Sequence, residues 1–181
     1  MWKFKKKYSN FVAPKIHKRM AGIKYRWFEV TIEKYGRLKL PAALLKELSE
    51  DDRQNFWATV GFGNHIMLWT QTAYEEQVKF LDSLDRNLIE VKRYRNILLR
   101  QSAYLECDSQ SRIVLPKNLL EKYGIEREAV LVLDNGQIEI WNVDAFNADC
   151  DAITPEEYGK LNAEMHSGHY NKDRKEGGDV S

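Results

Sequence analysis

The stretch that decides the fold is EKYGRLKLP at residues 33–41, because a second version of it, DSQSRIVLP, stands at residues 108–116. The two align without gaps at a separation of 75 residues, which matches Arg37 with Arg112. The other matched pairs are Glu33 with Asp108, Leu38 with Ile113, Leu40 with Leu115 and Pro41 with Pro116. The chain therefore repeats an acidic residue, a turn, an arginine and a short apolar strand that ends in proline.

A second region of similarity supports an internal duplication. IMLW at residues 66–69 aligns with IEIW at 138–141, now at a separation of 72 residues. One short match could arise by chance, but an ordered series over about 45 residues, with Pro and Trp in register, is hard to obtain that way. The sequence therefore indicates two copies of one structural unit.

Each copy has the pattern of two strands, a short helix and two further strands. Pro41 and Pro116 stand where a helix begins, and Gly124 closes the second helix. Asn135 and Gly136 predict a two-residue hairpin turn. In the first copy the predicted strands are 28–32, 38–40, 58–62 and 65–70, and the helix is 42–48. In the second copy the strands are 103–107, 113–115, 129–133 and 137–142, and the helix is 117–123.

These elements predict a β-rich α+β fold. One copy alone buries too little apolar surface to be stable, so we expect the two copies to close on each other. The expected result is a single pseudo-twofold β-barrel built from two ββαββ repeats, with a helical segment between the halves, since closure removes exposed strand edges. The segments are a basic N-terminal extension (1–21), the first repeat (22–71), linking helices (72–102), the second repeat (103–146), and an acidic C-terminal helix with a disordered tail (147–181).

The segment between the copies has the pattern of two helices, at 74–84 with Thr72 as the cap and at 85–101. The second helix has an apolar stripe, spaced three to four residues apart, that predicts a buried face: Leu88, Val91, Tyr94 and Leu98. Three arginines spaced by seven are expected on one outer face: Arg86, Arg93 and Arg100. They are interpreted either as a solvated helix face or as a surface for phosphate contact or subunit packing.

The net charge of +1 hides an uneven distribution. Residues 1–27 hold nine Lys or Arg and no acid, which leaves 19 basic and 27 acidic groups for the rest of the chain. A basic arm on an acidic body indicates phosphate binding by the arm. The alternatives are an arm that packs on an acidic neighbour and an arm that only keeps the protein soluble.

Other features bear on location and on the chain ends. No apolar run is long enough to cross a bilayer, and the basic start lacks the apolar stretch that a secretory signal needs. Cys107 and Cys150 are too few for a disulfide scaffold or a four-ligand zinc site, so we expect both to be reduced in the cytoplasm. Thr154 predicts the start of a helix that runs to Met165, and residues 167–181 are predicted to be disordered.

No arrangement of residues points to an enzyme. Gly61 and Gly63 lie in a hairpin and are not followed by the Gly-Lys-Ser/Thr of a phosphate-binding loop. His166 and His169 have a spacing found at metal sites, but they stand in a polar tail without cysteine partners. We therefore expect no catalytic residues, no metal site and no cofactor.

The doubled motif, acidic-x-x-Gly-Arg-apolar-x-apolar-Pro with apolar-x-apolar-Trp ending each half, resembles the MraZ family. The resemblance covers roughly residues 22–166, including PEEYGKLNAEM at 155–165. It implies two AbrB-like, swapped-hairpin repeats in a cytoplasmic, nucleoid-associated repressor of the cell-division and cell-wall gene cluster. It also implies a ring-shaped homo-oligomer that binds direct repeats in double-stranded promoter DNA.

The resemblance places the family's DNA-contacting motif on the two turns of this sequence. The residues that it assigns to DNA contact are Lys34, Tyr35, Gly36, Arg37, Ser109, Gln110, Ser111 and Arg112, and the turn-orienting acids are Glu33 and Asp108. Arginine offers a planar fork of donors that fits guanine or phosphate, and glycine permits the positive φ of a tight turn. The alternative is that each acid and arginine form an internal ion pair that braces the turn.

The sequence departs from the family pattern at several positions. Glu33 replaces Asp, Ser111 replaces Gly, and Leu45 and Asn96 stand where the family is usually basic. Two other functions stay open: an AbrB-like antitoxin or transition-state regulator, and a barrel scaffold that no longer binds DNA. Two units in one chain argue against the former, because such proteins usually carry one. The departures and the acidic body give some weight to the latter, while a sequence-specific repressor stays the leading interpretation.

Overall fold

The computed structural model describes residues 26–134 and 136–167. The predictions for the basic extension, for Asn135, for His169 and for the tail from residue 168 lie outside the described residues. The strands are β1 (Arg26–Thr31), β2 (Arg37–Lys39), β3 (Asn55–Val60), β4 (His65–Thr70), β5 (Ala103–Glu106), β6 (Arg112–Val114), β7 (Glu128–Asp134) and β8 (Gln137–Asn142). The helices are α1 (Ala42–Leu45), α2 (Gln71–Ser83), α3 (Ile89–Arg100), α4 (Lys117–Lys122), α5 (Val143–Asp151) and α6 (Pro155–His166). All eight predicted strands are present.

The strands form two antiparallel sheets. The larger sheet has six strands in the order β1-β7-β8-β4-β3-β5, and the smaller sheet pairs β2 with β6. The pairing is symmetric with respect to the two halves. The β1–β7 pair of one side corresponds to the β5–β3 pair of the other, and in the β4–β8 and β2–β6 pairs each strand faces its own equivalent from the other half. The prediction that strands of the two halves pair with each other is confirmed. Neither half therefore forms its sheet alone.

A pseudo-twofold axis relates the two halves. In the smaller sheet Leu38 faces Ile113, and these are equivalent residues of the two copies. In the larger sheet Met67 faces Glu139, which are again equivalent. Equivalent residues face each other only where a twofold axis passes, so the axis runs through both pairs and crosses both sheets.

One core fills the space between the sheets and holds the halves together. Leu38 and Ile113 of the smaller sheet pack there with Phe56, Ile66 and Ile140 of the larger one, and all five are fully buried. Removing an aliphatic or aromatic side chain of this size from water contributes about 1.5–3 kcal/mol. The β-rich α+β class is confirmed, and its stability depends on contacts between the two copies.

The closed barrel expected from the sequence is not confirmed. In the described part of the chain, the ladder of the larger sheet ends at β1 and at β5. A single bridge between Ile32 and Leu38 connects the end of β1 to β2. The physical reason is length, because β2 and β6 have three residues each and cannot form long ladders with β1 and β5.

The helices α2 and α3 cover the face of the larger sheet that points away from β2 and β6. Successive side chains of a strand point to opposite faces. Along β4, Ile66 and Leu68 therefore enter the core between the sheets, whereas Met67 and Trp69 pack against α2 and α3. The smaller sheet and the two helices thus lie on opposite sides of the larger sheet.

The starts of these helices differ from the prediction. The hydroxyl of Thr70 caps α2 by accepting a hydrogen bond from the amide of Ala73 at 3.2 Å, so the predicted cap at Thr72 is wrong. Helix α3 begins after Leu88, whose side chain is 51% exposed. Leu88 therefore does not belong to the buried stripe, in which Leu98 is buried, Tyr94 packs against the same cluster and Val91 is half-buried.

Two helices follow β8. Sequence analysis did not predict α5, although its signal is visible, because Asn142 accepts hydrogen bonds from the amides of Asp144 and Ala145 at 2.8 and 3.1 Å. Helix α6 begins with a capping box at Thr154, as predicted, and ends one residue beyond the predicted end. Within the described residues, no helix combines the length and the hydrophobicity that are needed to cross a membrane.

Candidate nucleic-acid interface

The outer surface of β2 and β6, named here the cationic ribbon, carries three basic side chains. Leu38 and Ile113 point into the core. Because side chains alternate along a strand, Arg37, Lys39 and Arg112 point outward. The side chains of Arg37 and Lys39 are exposed, and that of Arg112 is half-buried. The ribbon thus presents positive charge where the pseudo-twofold axis leaves the molecule.

Each strand of the ribbon follows a tight turn, and an equivalent backbone hydrogen bond closes each of the two turns. The amide of Glu33 donates to the carbonyl of Arg37 at 2.7 Å, and the amide of Asp108 donates to the carbonyl of Arg112 at 2.8 Å. These four residues are the acid that begins each copy of the repeated motif and the arginine that follows its turn. The duplication seen in the sequence therefore extends to the hydrogen bond that closes each turn.

Gly36 and Ser111 occupy equivalent places in the two turns, with φ angles of 74° and 59°. Their carbonyls accept the amides of Leu115 and Leu40 at 2.9 and 2.8 Å, which ties each turn to the other half. A Cβ atom at Gly36 would lie 2.6 Å from the carbonyl oxygen of Leu115. Glycine adopts a positive φ without strain and has no Cβ atom to clash with this oxygen. Ser111, by contrast, holds the left-handed conformation at a cost of about 1–2 kcal/mol.

Replacing Ser111 with glycine is expected to stabilise the protein by about 0.5–1 kcal/mol, because glycine adopts a positive φ without steric cost. Thermal unfolding measures the change. The matched control is Ser109→Gly in the same turn, where φ is not positive and the added freedom of the unfolded chain should lower stability. A lower melting temperature for Ser111→Gly would show that the serine hydroxyl matters more than the backbone conformation.

The two acids that precede the turns have different hydrogen-bond and ion-pair partners. Oδ1 of Asp108 accepts hydrogen bonds from the amides of Gln110 and Arg112 at 2.8 and 2.9 Å. The Arg112 amide above all, with the Gln110 amide and the charges of Arg112 and Arg37, lowers the pKa of the Asp108 carboxyl. Glu33 caps no amide of its own turn, and its Oε1 lies 3.9 Å from Nη2 of Arg112. For Glu33 the ion pair is thus formed with the other half, and not within its own turn as the alternative interpretation expected.

The tips of both turns face solvent. Lys34, Tyr35, Ser109 and Gln110 are exposed, and the exposed fraction of Tyr35 is 91%. Tyr35 also has a φ of 63°, a conformation that side chains with a Cβ atom rarely adopt. The eight residues predicted to contact DNA therefore surround the axis on one side of the molecule.

Sequence reasoning missed Lys39, which lies directly opposite Arg112 across the ribbon. Like charges directly opposite each other destabilise a strand pair, so this arrangement favours a surface that binds an anion. The signal was present in the sequence. Leu38 and Leu40 point inward on either side of Lys39, and this alternation predicts a lysine that points outward two positions after Arg37.

The three arginines of the linking helices do not share one face. Arg86 lies in the connection before α3, where its Nη2 is 2.9 Å from Oδ1 of Asp82. The prediction is wrong at this residue because α3 begins only at Ile89. Arg93 and Arg100 are exposed on α3, on the side of the larger sheet opposite the ribbon. This placement favours a solvated face or subunit packing over contact with DNA that lies on the ribbon.

Both cysteines are free thiols, with Cys107 half-buried and Cys150 exposed. Burial raises the pKa of the Cys107 thiol, and the neighbouring Asp108 carboxylate adds to the effect, so this thiol is protonated at neutral pH. Within residues 26–134 and 136–167, no group of three or more His, Cys, Asp or Glu side chains is placed to hold a metal ion. The distinctive chemistry of the described surface is therefore that of the ribbon and its turns.

The fold and the site together define a class of protein, in which two fused copies of a strand-exchanged unit present a pair of equivalent turns beside a cationic ribbon. The family model of the MraZ protein, whose description relates it to antitoxins, matches residues 27–91 and 98–158. These two matches fall on the two copies. The chain belongs to the MraZ family.

Several relatives are similar over most of their length, and each is named Transcriptional regulator MraZ. The relative from Cytophaga hutchinsonii is 27% identical over 119 residues, which cover 66% of this chain and 79% of the relative. The relative from Syntrophomonas wolfei is 30% identical over 117 residues, covering 65% and 79%. The relative from Mycoplasmopsis pulmonis is 28% identical over 135 residues, covering 73% and 87%.

Proposed function

We propose that this chain is a sequence-specific, DNA-binding transcriptional regulator that contacts the duplex with the cationic ribbon and its two turns. The observation that carries this function is the placement of Arg37, Lys39 and Arg112 on one outward surface at the pseudo-twofold axis. The names of the relatives support it. The proposed role is repression of the cell-division and cell-wall gene cluster, by a cytoplasmic protein associated with the nucleoid.

The charge of the ribbon and the arrangement of its side chains both favour DNA binding. An arginine fork pairs with O6 and N7 of guanine or with phosphate, and a lysine binds phosphate as a point charge. The exposed tips at Lys34 and Tyr35 stand beside these cations. The ribbon is anchored by the buried pair of Leu38 and Ile113, so less order has to be gained when DNA binds.

The same geometry separates this function from its two alternatives. A chain that carries a single unit needs a second chain to exchange strands with, whereas this chain holds both units. A scaffold that has lost DNA binding gains nothing from Lys39 directly opposite Arg112, because like charges disfavour the strand pair and the carboxylate of Glu33 is paired with only one of the two cations, Arg112.

A binding titration tests the function directly. The probes are a duplex from the promoter of the protein's own gene and a scrambled duplex of equal composition, each at several salt concentrations. We expect preference for the promoter and an affinity that falls with salt, with a slope of about −0.9 for each phosphate neutralised. Equal and weak binding to both duplexes would contradict sequence-specific regulation.

We further propose that the protein is a ring-shaped homo-oligomer on promoter direct repeats. One molecule offers few phosphate contacts, and several linked copies gain affinity through effective concentration. Head-to-tail packing in a ring presents each copy in the same orientation, which calls for direct repeats rather than palindromes. Light scattering at roughly micromolar concentration should therefore give a mass above that of a dimer. A stable monomer would contradict the ring.

A further inference from the structure

The two turns are closed by equivalent backbone hydrogen bonds but differ in what holds them in place. The second turn is fixed by its own acid, because Asp108 accepts the amides of Gln110 and Arg112. The first turn has no such cap, since Glu33 accepts no hydrogen bond from the turn that it precedes. The first turn also holds Tyr35 at a positive φ. It therefore needs support from outside itself.

Arg112 is placed to supply that support. Its Nη1 donates a hydrogen bond to Oε1 of Gln110 in the second turn, and its Nη2 lies 3.9 Å from Oε1 of Glu33 in the first. Its side chain is only 28% exposed, although it stands on the outward surface of the ribbon. The guanidinium of Arg112 thus lies between the two turns, with Nη1 and Nη2 facing protein groups and with its buried Nε lacking a hydrogen-bond partner among the described residues.

Arg37, the equivalent residue of the first copy, is in a different situation. Its side chain is exposed, and it stands next to the exposed tip formed by Lys34 and Tyr35. The carboxylate of Asp108, which by symmetry would correspond to Glu33, accepts two backbone amides and forms no ion pair within 4.0 Å with Arg37, although the charge of Arg37 still acts on it. The two arginines therefore occupy equivalent positions without making equivalent contacts.

We propose that Arg112 is a positioning residue, which holds the first turn through Glu33 so that Lys34, Tyr35 and Arg37 make the DNA contacts. This inference rests on the proposed function. The benefit lies in binding and not in stability, because an ion pair at this exposure contributes only about 0–1 kcal/mol to folding. A turn that is already in place loses less conformational freedom when DNA binds, so its affinity is higher.

Glu33→Gln gives the sharpest test, because the two possible roles of Arg112 predict opposite signs. If the pair only neutralised charge, removing a carboxylate from the DNA-facing surface would strengthen binding to the polyanion. If Glu33 receives the support of Arg112, its loss should weaken binding to the promoter duplex by about three- to tenfold. Tighter binding by Glu33→Gln would overturn the inference.

The salt dependence separates positioning from direct contact. We expect Arg112→Ala to lower affinity without changing the salt slope, and Arg112→Lys to behave in the same way although it keeps the charge. Arg37→Ala should lower the slope by about 1 for each engaged molecule if it contacts phosphate. The double variant of Glu33→Gln and Arg112→Ala should bind no worse than the weaker single variant.

The results that would contradict this inference differ from the result that would contradict the proposed function. An Arg112→Ala variant that lowers the salt slope as much as Arg37→Ala does, or an Arg112→Lys variant that binds normally, would show that Arg112 contacts DNA itself. The positioning role would then be wrong while the DNA-binding function stands. If wild-type protein does not distinguish promoter from scrambled duplex, the function itself is wrong.

Discussion

Replacing Arg37 with alanine is expected to lower affinity for promoter DNA by about 1–3 kcal/mol for each engaged molecule, with a larger total loss in a ring. Arg37 is exposed on the cationic ribbon, beside the tip at Lys34 and Tyr35. If it contacts guanine, specificity should relax at that base pair. If it contacts phosphate, binding to all sequences should fall together and the salt slope should shrink. The measurement is a titration of promoter and scrambled duplexes at several salt concentrations.

Lys79→Ala is the matched control for this experiment. Lys79 is exposed on α2, on the side of the larger sheet opposite the ribbon, and its loss also removes one positive charge. Both variants should keep the wild-type melting temperature, because neither side chain belongs to the core. Unchanged promoter affinity in Arg37→Ala, or an equal loss in Lys79→Ala, would remove the ribbon from the proposed DNA interface.

The second large effect is expected in the core. Leu38→Ala and Ile113→Ala should each destabilise the protein by about 2–5 kcal/mol, because both side chains are fully buried and a cavity would remain. Equivalent positions on the pseudo-twofold axis should give similar losses. Since a domain of this kind has about 5–15 kcal/mol of stability in total, the double variant should be largely unfolded. Urea unfolding at fixed protein concentration measures all three.

Val114→Ala is the matched control, because it truncates an apolar side chain in the same strand without opening a cavity in the core. Val114 follows Ile113 directly but is 54% exposed, so its truncation should cost about 0.5 kcal/mol or less. A loss for Ile113→Ala that is no larger than this would mean that the two halves do not depend on the axial pair. It would also weaken the interpretation of the ribbon as a preformed surface.

Local patterns predicted much of this fold. The bounds of β4 and β8 are as expected, because an apolar run in β4 and an alternating pattern in β8 each follow a clear turn signal. The pairing of strands between halves followed from duplication, since a single copy cannot bury its own apolar surface. Helix starts were less accurate, because several residues compete as caps, and Thr70 rather than Thr72 captured the start of α2.

The candidate site was predictable only in part. Its turns carry their own signal in the repeated motif, but the contact between Glu33 and Arg112 joins residues of different copies. That contact depends on the register of β2 against β6, which no local pattern contains. The absence of a common face for Arg86 and Arg93 has a similar origin, because seven-residue spacing implies a shared face only within one unbroken helix.

Because the two copies are fused in one chain, the turns on the two sides of the pseudo-twofold axis can have different sequences. A symmetric pair of identical chains must offer the same turn on each side of its axis, and so meets a duplex in the same way from either end. Here Gly36 is matched by Ser111, and Tyr35 is matched by Gln110. Under the proposed function, a duplex laid across the axis would meet different chemistry at each end, so a single molecule would distinguish one strand direction from the other.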